Sequence, residues 1–397
     1  MRNKIKYYLQ NSEFISLLYY YIGSLVINII SLFVKPKEKT VLFVSFGGRQ
    51  YSDSPKAIFE WMRNDPRFKD WEFTWAFIKP NNYQIDGAKK VKIDSLSYFI
   101  TAIKSRVWVT NSGIKRYLNF HGKNTLFINT WHGTPIKKIG IDEVGVHKSK
   151  VFARKWFEFK DANITLAESK YDAEIFKRIF DIDDNQIMIT GLPRNDELYH
   201  NKYDIDNIKK KLNIPKDKKV ILYAPTVRGN NVDEDFRNFI NPPIDFNNWK
   251  RILGEYVILF RAHYFVDKID EIKGINLDNV INVTSYENLN ELMVVSDLLI
   301  SDYSSIFFDY AILEKPMFCF AYDYDEYIKY QGLYLDINKE IPNGIIRTEK
   351  ELLYMIKNLD YSEQVKKTIQ FKKKYLSGNG KATQQVVDYI FNNTKNS

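Results

Sequence analysis

A single cysteine, Cys319, stands in 397 residues. That excludes an intramolecular disulfide and a thiolate cluster for zinc or iron–sulfur, and it fits a reducing compartment such as the cytoplasm. Glycine and proline are sparse, at 17 and 12 residues, below the roughly 12% of average usage, so a collagenous or disordered chain is excluded. There is no Walker phosphate loop, no HExxH and no GxSxG. A dinucleotide fingerprint is missing too, since Ser45-Phe46-Gly47-Gly48-Arg49 has the wrong spacing. His121, His147 and His200 lack companions at metal-ligand spacing, and Asp181-Ile182-Asp183, which has the Asp-x-Asp form of metal-dependent sugar transferases, lies among ordinary charged residues. No metal and no cofactor is expected. No short repeat is visible, which excludes a solenoid.

What is present is a chain of two or three domains' length with 45% hydrophobic and 15% aromatic residues. Its 58 basic and 49 acidic residues give a net charge of +9 and a pI near 9.1. Such a balance implies an anionic partner: a phosphorylated substrate, an anionic membrane surface or a nucleic acid. Lysines, arginines and aromatics are dispersed through the chain, which argues against nucleic acid. Residues 14–34 (FISLLYYYIGSLVINIISLFV) carry no charge, have lysines on both sides and show no small-residue cleavage site. The length suits a hydrocarbon span, but Ser16, Gly23, Ser24, Asn28 and Ser31 interrupt it, so a helix lying on the membrane interface is the leading expectation, with a helix packed on the protein's own body and a true span as the alternatives.

Beyond Lys39 short apolar runs alternate with amphipathic stretches, the pattern of an α/β protein with parallel sheets. Strands are predicted at 40–45, 72–78, 106–110, 125–129, 163–167 and 186–190, then at 220–224, 256–261, 280–283, 298–301 and 316–320. Helices are predicted around 55–64, 95–104, 148–159 and 170–180, with a final helix from near Gly380 crossing back to the first domain. Three parts are expected: a membrane-associating segment 1–39, a first domain 40–212 and a second domain 213–397.

In open α/β sheets ligands bind beyond the carboxyl ends of strands, and the polar residues collect there. His132 lies in Trp131-His132-Gly133-Thr134-Pro135, followed by Lys137 and Lys138; imidazole is the usual proton acceptor for a hydroxyl nucleophile. Arg261 and His263, two apart on an extended end, can clamp a phosphate together. Arg194, Thr226 and Arg228 offer further donors. Ser304 and Ser305 open a helical stretch after Ser301-Asp302-Tyr303, and hydroxyls with free N–H groups there suit an anion. Asp309 falls one turn beyond Ser305.

At these residues the sequence resembles the CDP-glycerol glycerophosphotransferase family, the TagB/TagF-like enzymes of wall teichoic acid synthesis. The resemblance spans about residues 40–375 and rests on Tyr51-Ser52-Asp53-Ser54-Pro55, the His132 motif, Gly191-Leu192-Pro193-Arg194-Asn195-Asp196, Ala224-Pro225-Thr226 with Arg228, Arg261-Ala262-His263, and Ser301 through Asp309. It implies a GT-B fold, two Rossmann-like domains facing across a cleft, and a peripheral enzyme of the cytoplasmic face of the membrane. It further implies that glycerol phosphate moves from CDP-glycerol to a lipid-linked glycan or polyol-phosphate acceptor, with release of CMP. His132 would act at the reacting centre as base, and His263 with Arg261 would hold the pyrophosphate. Ser304, Ser305 and Asp309 would meet the phosphate and the polyol, and Thr226, Arg228 and Arg194 would complete the donor site. The same motifs fit a CDP-ribitol transferase, and a GT-B glycosyltransferase using a nucleotide sugar is the alternative that would release a nucleoside diphosphate instead.

Overall fold

The computed structural model describes residues 12–122, 124–144, 158–200, 202–226, 238–239, 242–262, 266–268, 274–275 and 277–395. Two candidate site residues, Arg228 and His263, and nearly all of the expected helix 148–159 lie outside the described residues. By their contacts the residues form two units. The first comprises Met1–Thr134, Ile139–Asp196 and Ser377–Ser397, and the second Pro135–Lys138 and Glu197–Leu376.

The first unit is built on a parallel sheet of seven strands: β1 (Lys37–Val44), β2 (Glu72–Phe77), β3 (Ala88–Lys92), β4 (Ser105–Thr110), β5 (Leu126–Asn129), β6 (Ile164–Ala167) and β7 (Ile187–Ile189). Their spatial order is β3-β2-β1-β4-β5-β6-β7. Central strands β4, β5 and β6 are buried at every residue, as a parallel sheet covered on both faces requires. Strand β3, absent from the sequence reading, exposes Lys89, Lys90 and Lys92 around one buried valine. Charge of that kind protects an edge strand and hides its apolar signature. Val386, Val387 and Ile390 of helix Ala382–Thr394 complete this unit's core against Ile58, Phe59 and the strand side chains.

The second unit holds a parallel sheet of six strands in the order β12-β10-β8-β13-β14-β15. These are β8 (Lys219–Tyr223), β10 (Tyr256–Phe260), β12 (Val280–Asn282), β13 (Leu298–Ser301), β14 (Met317–Phe320) and β15 (Ile345–Ile346). A separate parallel pair is formed by β9 (Asn238–Phe239) and β11 (Val266–Lys268). Both β9 and β15 are two residues long, too short for a periodic signal. The Lys-rich stretch 209–219 lies within this second unit, ending helix Ile205–Lys211 and entering β8.

In chain order the first sheet runs 3-2-1-4-5-6-7 and the second 3-2-1-4-5-6, so the direction of winding reverses once in each: between β1 and β4, and between β8 and β13. The residues leaving those four strands therefore line the crevices where doubly wound sheets bind ligands.

Helix Glu13–Phe33 buries the reverse of the usual face. Ser16, Ser24 and Ile27 are buried, while Phe14, Leu18, Tyr21, Leu25, Ile29, Leu32 and Phe33 are exposed. Polar bonds dock it on the first unit. Ser24 Oγ accepts from Asn119 N at 2.7 Å, Asn28 Nδ2 donates to Asn119 O at 2.9 Å, and Tyr19 donates to Arg116 O at 3.4 Å. Gly23 allows the close approach, because a Cβ there would sit 2.7 Å from Leu118 Cδ2. By length and composition Phe14–Phe33 is apolar enough to cross a membrane.

Candidate functional site

In the first unit the geometry converges on His132. Strand β5 ends at Asn129, whose side chain accepts from Trp131 N at 3.0 Å, and Thr130 N donates back to Thr110 O at the end of β4 at 2.8 Å. The chain thereby turns toward the β1/β4 crevice. Trp131 takes a positive φ of 50°, an uncommon state for a bulky residue, and its ring is buried against Phe159, Phe176 and Phe180. From that seat it lies 4.2 Å from the His132 ring, centroid to centroid, with the edge of Phe46 on the other contact at 5.8 Å.

His132 is half-buried, and its Nδ1 lies 2.8 Å from the carbonyl oxygen of Asn111, the first residue beyond β4. A carbonyl only accepts, so Nδ1 carries the hydrogen and the lone pair of the neutral ring falls on Nε2. Asn111 is fully buried and is itself fixed, its Oδ1 accepting from Phe46 N at 2.8 Å beyond β1. The imidazole is thus oriented from both strands that flank the reversal. The ring's tautomer is thereby set by backbone, an arrangement able to accept a proton at Nε2.

Gly133 and Thr134 continue buried. The Thr134 hydroxyl donates to Asp172 Oδ2 at 3.1 Å, and Asp172 also accepts from Glu168 N, Ser169 N and Ser169 Oγ. Burial pushes the Asp172 carboxyl up to about 6 against the pull of these donors. Sequence reading did not single out Asn111 or Asp172. The Ser169-x-x-Asp172 capping box opening helix Lys170–Phe180 was the available signal for the second. The next residues pair elsewhere: in the second unit Lys137 bridges Leu333, Tyr334 N donates to Ile136 O at 2.8 Å, and Pro135 is buried.

Arg194, in the turn Pro193–Asn195 after β7, is held within the first unit. Its Nη1 donates to Asp53 Oδ2 at 2.9 Å and to the His132 carbonyl at 2.8 Å. The rest of its motif is structural: Asp196 accepts from Ala382 N and Thr383 N and so caps the last helix. Gly191, at a φ of 80°, leaves room for Gly378, whose Cα would stand 2.7 Å from a Cβ. Asp181 is the left-handed C-cap of helix Lys170–Phe180 and pairs with Lys160. Among the described residues no group of three or more His, Cys, Asp or Glu could hold a metal ion.

In the second unit the β8 and β13 ends are joined by Asp302, nearly wholly buried. Its carboxylate accepts from Thr226 N at 3.0 Å, from the Thr226 hydroxyl and from Tyr303 N at 2.7 Å. Ser301 Oγ donates to Ala224 O at 2.6 Å. Ser304 Oγ accepts from Ile306 N at 3.3 Å, and Ser305 holds the N-cap position of helix Ile306–Ala311 without a side-chain cap bond. That helix is only six residues long, with Asp309 buried in its second half. Arg261, directly after β10, donates from Nη1 to Val283 O at 3.1 Å and Tyr286 O at 2.6 Å, and burial pushes its guanidinium down to about 10. The structure therefore brings Thr226, Ser301 and Asp302 together at one crevice and Trp131, His132 and Arg194 at the other.

Comparison with known proteins shows the family of the chain. The chain matches the model of CDP-Glycerol:Poly(glycerophosphate) glycerophosphotransferase over residues 26–392. It is 36% identical over 373 residues to the teichoic acid poly(glycerol phosphate) polymerase of Staphylococcus epidermidis, covering 90% of this chain and 51% of that protein. It thus spans about half the length of that polymerase. The teichoic acid glycerol-phosphate transferase of Staphylococcus aureus is 33% identical, covering 90% of this chain and 94% of the relative. A teichoic acid ribitol-phosphate primase of Bacillus spizizenii is 26% identical over 378 residues, with 91% of this chain and 93% of that protein covered. The solved structure of a variant of the wall teichoic acid polymerase TagF superposes with a TM-score of 0.81 at 36% identity, covering 91% and 90% of the two chains, and the same variant has been soaked with CDPG. With a family match over most of its length, two doubly wound units and the strand-end motifs in order, the chain belongs to the CDP-glycerol:poly(glycerophosphate) glycerophosphotransferase family.

Proposed function

We propose that this chain transfers glycerol phosphate from CDP-glycerol to a lipid-linked glycan or polyol-phosphate acceptor in teichoic acid synthesis, releasing CMP. The observation that carries the reading is the His132 ring, fixed at a strand reversal by the Asn111 carbonyl so that Nε2 is the proton-accepting nitrogen. In the step, the acceptor hydroxyl forms a new P–O bond to the β-phosphorus, Nε2 takes its proton, and the anhydride P–O bond breaks with its electron pair leaving on CMP. Charge spread over the phosphoryl oxygens calls for fixed cationic and N–H donors. Arg261, His263 and Arg228 are assigned to the pyrophosphate, and Thr226, Ser304, Ser305 and Asp309 to the phosphate and polyol. His263 and Arg228 are placed there by their motifs alone. The reading requires both units to reach one donor, as two domains facing across a cleft would.

Glycerol is preferred over ribitol because the glycerol-phosphate relatives are 32–36% identical and the ribitol-phosphate relatives 26–31%. Attachment to the inner face of the membrane through helix Glu13–Phe33 belongs to the same proposal. Its polar side is occupied by the protein, and its apolar side with exposed Lys35, Lys37 and Lys39 at its end suits an interface rich in anionic lipid.

The test is to supply CDP-glycerol or CDP-ribitol with a lipid-linked disaccharide acceptor and identify the released nucleotide and the product. CMP and an acceptor extended by glycerol phosphate are expected. Release of CDP would make the protein a glycosyltransferase, and faster turnover of CDP-ribitol would reassign the polyol.

A further inference from the structure

We infer that Asp53 and Arg194 form a positioning pair that fixes the backbone of His132, and that Arg194 is not a ligand of the donor phosphates. The inference rests on the proposal that His132 is the base. Three separate segments meet at this point: the start of helix Asp53–Asn64 after β1, the turn Pro193–Asn195 after β7, and the loop after β5. Arg194 Nη1 reaches Asp53 Oδ2 at 2.9 Å and the His132 carbonyl at 2.8 Å. Both side chains are largely withdrawn from solvent, Arg194 at 15% exposure and Asp53 at 6%. A guanidinium so withdrawn needs its counter-charge, and Asp53 supplies it in a charge-assisted bond.

Asp53 is held in an unfavourable backbone state to do so. Its φ is 65°, while its Oδ1 accepts from Ser54 N at 2.5 Å. Left-handed non-glycine residues cost on the order of 1 kcal/mol or more and persist where surrounding contacts over-determine them. Phe46 and Trp131, the two aromatic neighbours of the His132 ring, also have positive φ, 45° and 50°. Strain is thus gathered around one imidazole. With the carbonyl of His132 held by Arg194 and its Nδ1 by Asn111 O, both ends of the residue are fixed and Nε2 has one direction in which to point. The pair is neutral as a whole, so it orients the ring without placing a net charge beside it.

The test separates positioning from donor binding by a kcat-against-KM split. Arg194→Ala should lower kcat by about tenfold to a hundredfold, the scale for a misplaced catalytic group, with the KM for CDP-glycerol within about twofold of the parent. Arg194→Lys, whose ammonium keeps the charge and has donors enough for both acceptors but sits on a shorter stem, should recover part of kcat. Asp53→Asn keeps the shape and the bond to Ser54 N, and it serves as the decisive variant if Arg194→Ala is unstable by circular dichroism. It should also lower kcat alone, and the Asp53→Asn/Arg194→Ala double variant should be no slower than Arg194→Ala, because a coupled pair is non-additive. A rise in KM at constant kcat would return Arg194 to the donor site, and additive effects or unchanged kinetics would equally overturn the pair. His132→Ala runs alongside: if it is inactive while the pair's variants run at full speed, only this inference fails, whereas an active His132→Ala removes the base on which it rests.

Discussion

The two units solve one construction problem with the same device and to different ends. In each, a buried aspartate gathers a threonine hydroxyl from a neighbouring loop together with backbone N–H groups: Asp172, in the first turn of the helix after β6, with Thr134 in the first, and Asp302, at the β8/β13 reversal, with Thr226 in the second. The first unit adds a second layer, in which Asn111, Trp131 and Phe46 bear on the His132 imidazole and Arg194 on its backbone carbonyl. The second joins its loops and leads into the Ser304-Ser305 turn. One crevice is organised around an imidazole, the other around a surface of hydroxyls and amides. A doubly wound sheet supplies the place, and the loops decide which groups it presents.

Substitutions should divide along this line, the largest effect coming from the histidines. His132→Ala is expected to lower turnover by a factor of roughly 10² or more while calorimetry shows CDP-glycerol still bound. His263→Ala should chiefly lose donor affinity, and the reverse pattern would exchange the roles of the two units. The hub aspartates come next. Removing Asp302 leaves Thr226 N and Tyr303 N without their acceptor, at about 1–3 kcal/mol for each buried donor. Asp302→Ala should therefore raise the donor dissociation constant about tenfold or more, whereas Asp172→Ala should act on kcat; equal effects on both constants would erase the distinction.

Helix Glu13–Phe33 tests a different boundary, between fold and attachment. Leu25→Asp with Ile29→Asp places charge on two exposed positions, so melting temperature and CMP release in solution should stay unchanged while co-sedimentation with anionic vesicles falls several-fold. A drop in melting temperature instead would make that face part of the protein's own packing. The smallest effect concerns pH. Asp172 has a carboxyl raised from 3.8 to about 6 by burial, so the folded state holds its proton more tightly than the unfolded chain does. Its contribution to stability is complete below about pH 3.8 and is lost as pH rises through about 6. Urea midpoints of the parent should decline over that window more steeply than those of Asp172→Asn, and parallel curves would mean that the carboxyl is ionised throughout.

Most of the sheet strands were legible because burial on both faces writes a continuous apolar run, as in β4 to β6 and in β10. Those that were not legible lacked that run for physical reasons: β3 is a lysine-bearing edge and β15 has two residues. At the site, His132 could be found from its place after a strand. Its supports could not, because Asn111 acts through a backbone carbonyl, which any residue type possesses. Arg194 shows the opposite limit. Its motif is visible in sequence, but a guanidinium that meets a carboxylate and a peptide carbonyl reads the same as one that meets phosphate.

The last helix bears on how the molecule is made. Val386, Val387 and Ile390 finish a core that begins at Val41, and each such side chain buried adds about 1.5–3 kcal/mol. During synthesis the first sheet must therefore wait, its hydrophobic face incompletely covered, until residue 394 has left the ribosome. The second unit needs nothing beyond Leu376. The half that is translated later can reach its native state earlier, and the half carrying His132 is the one exposed to chaperones and proteases in the interval.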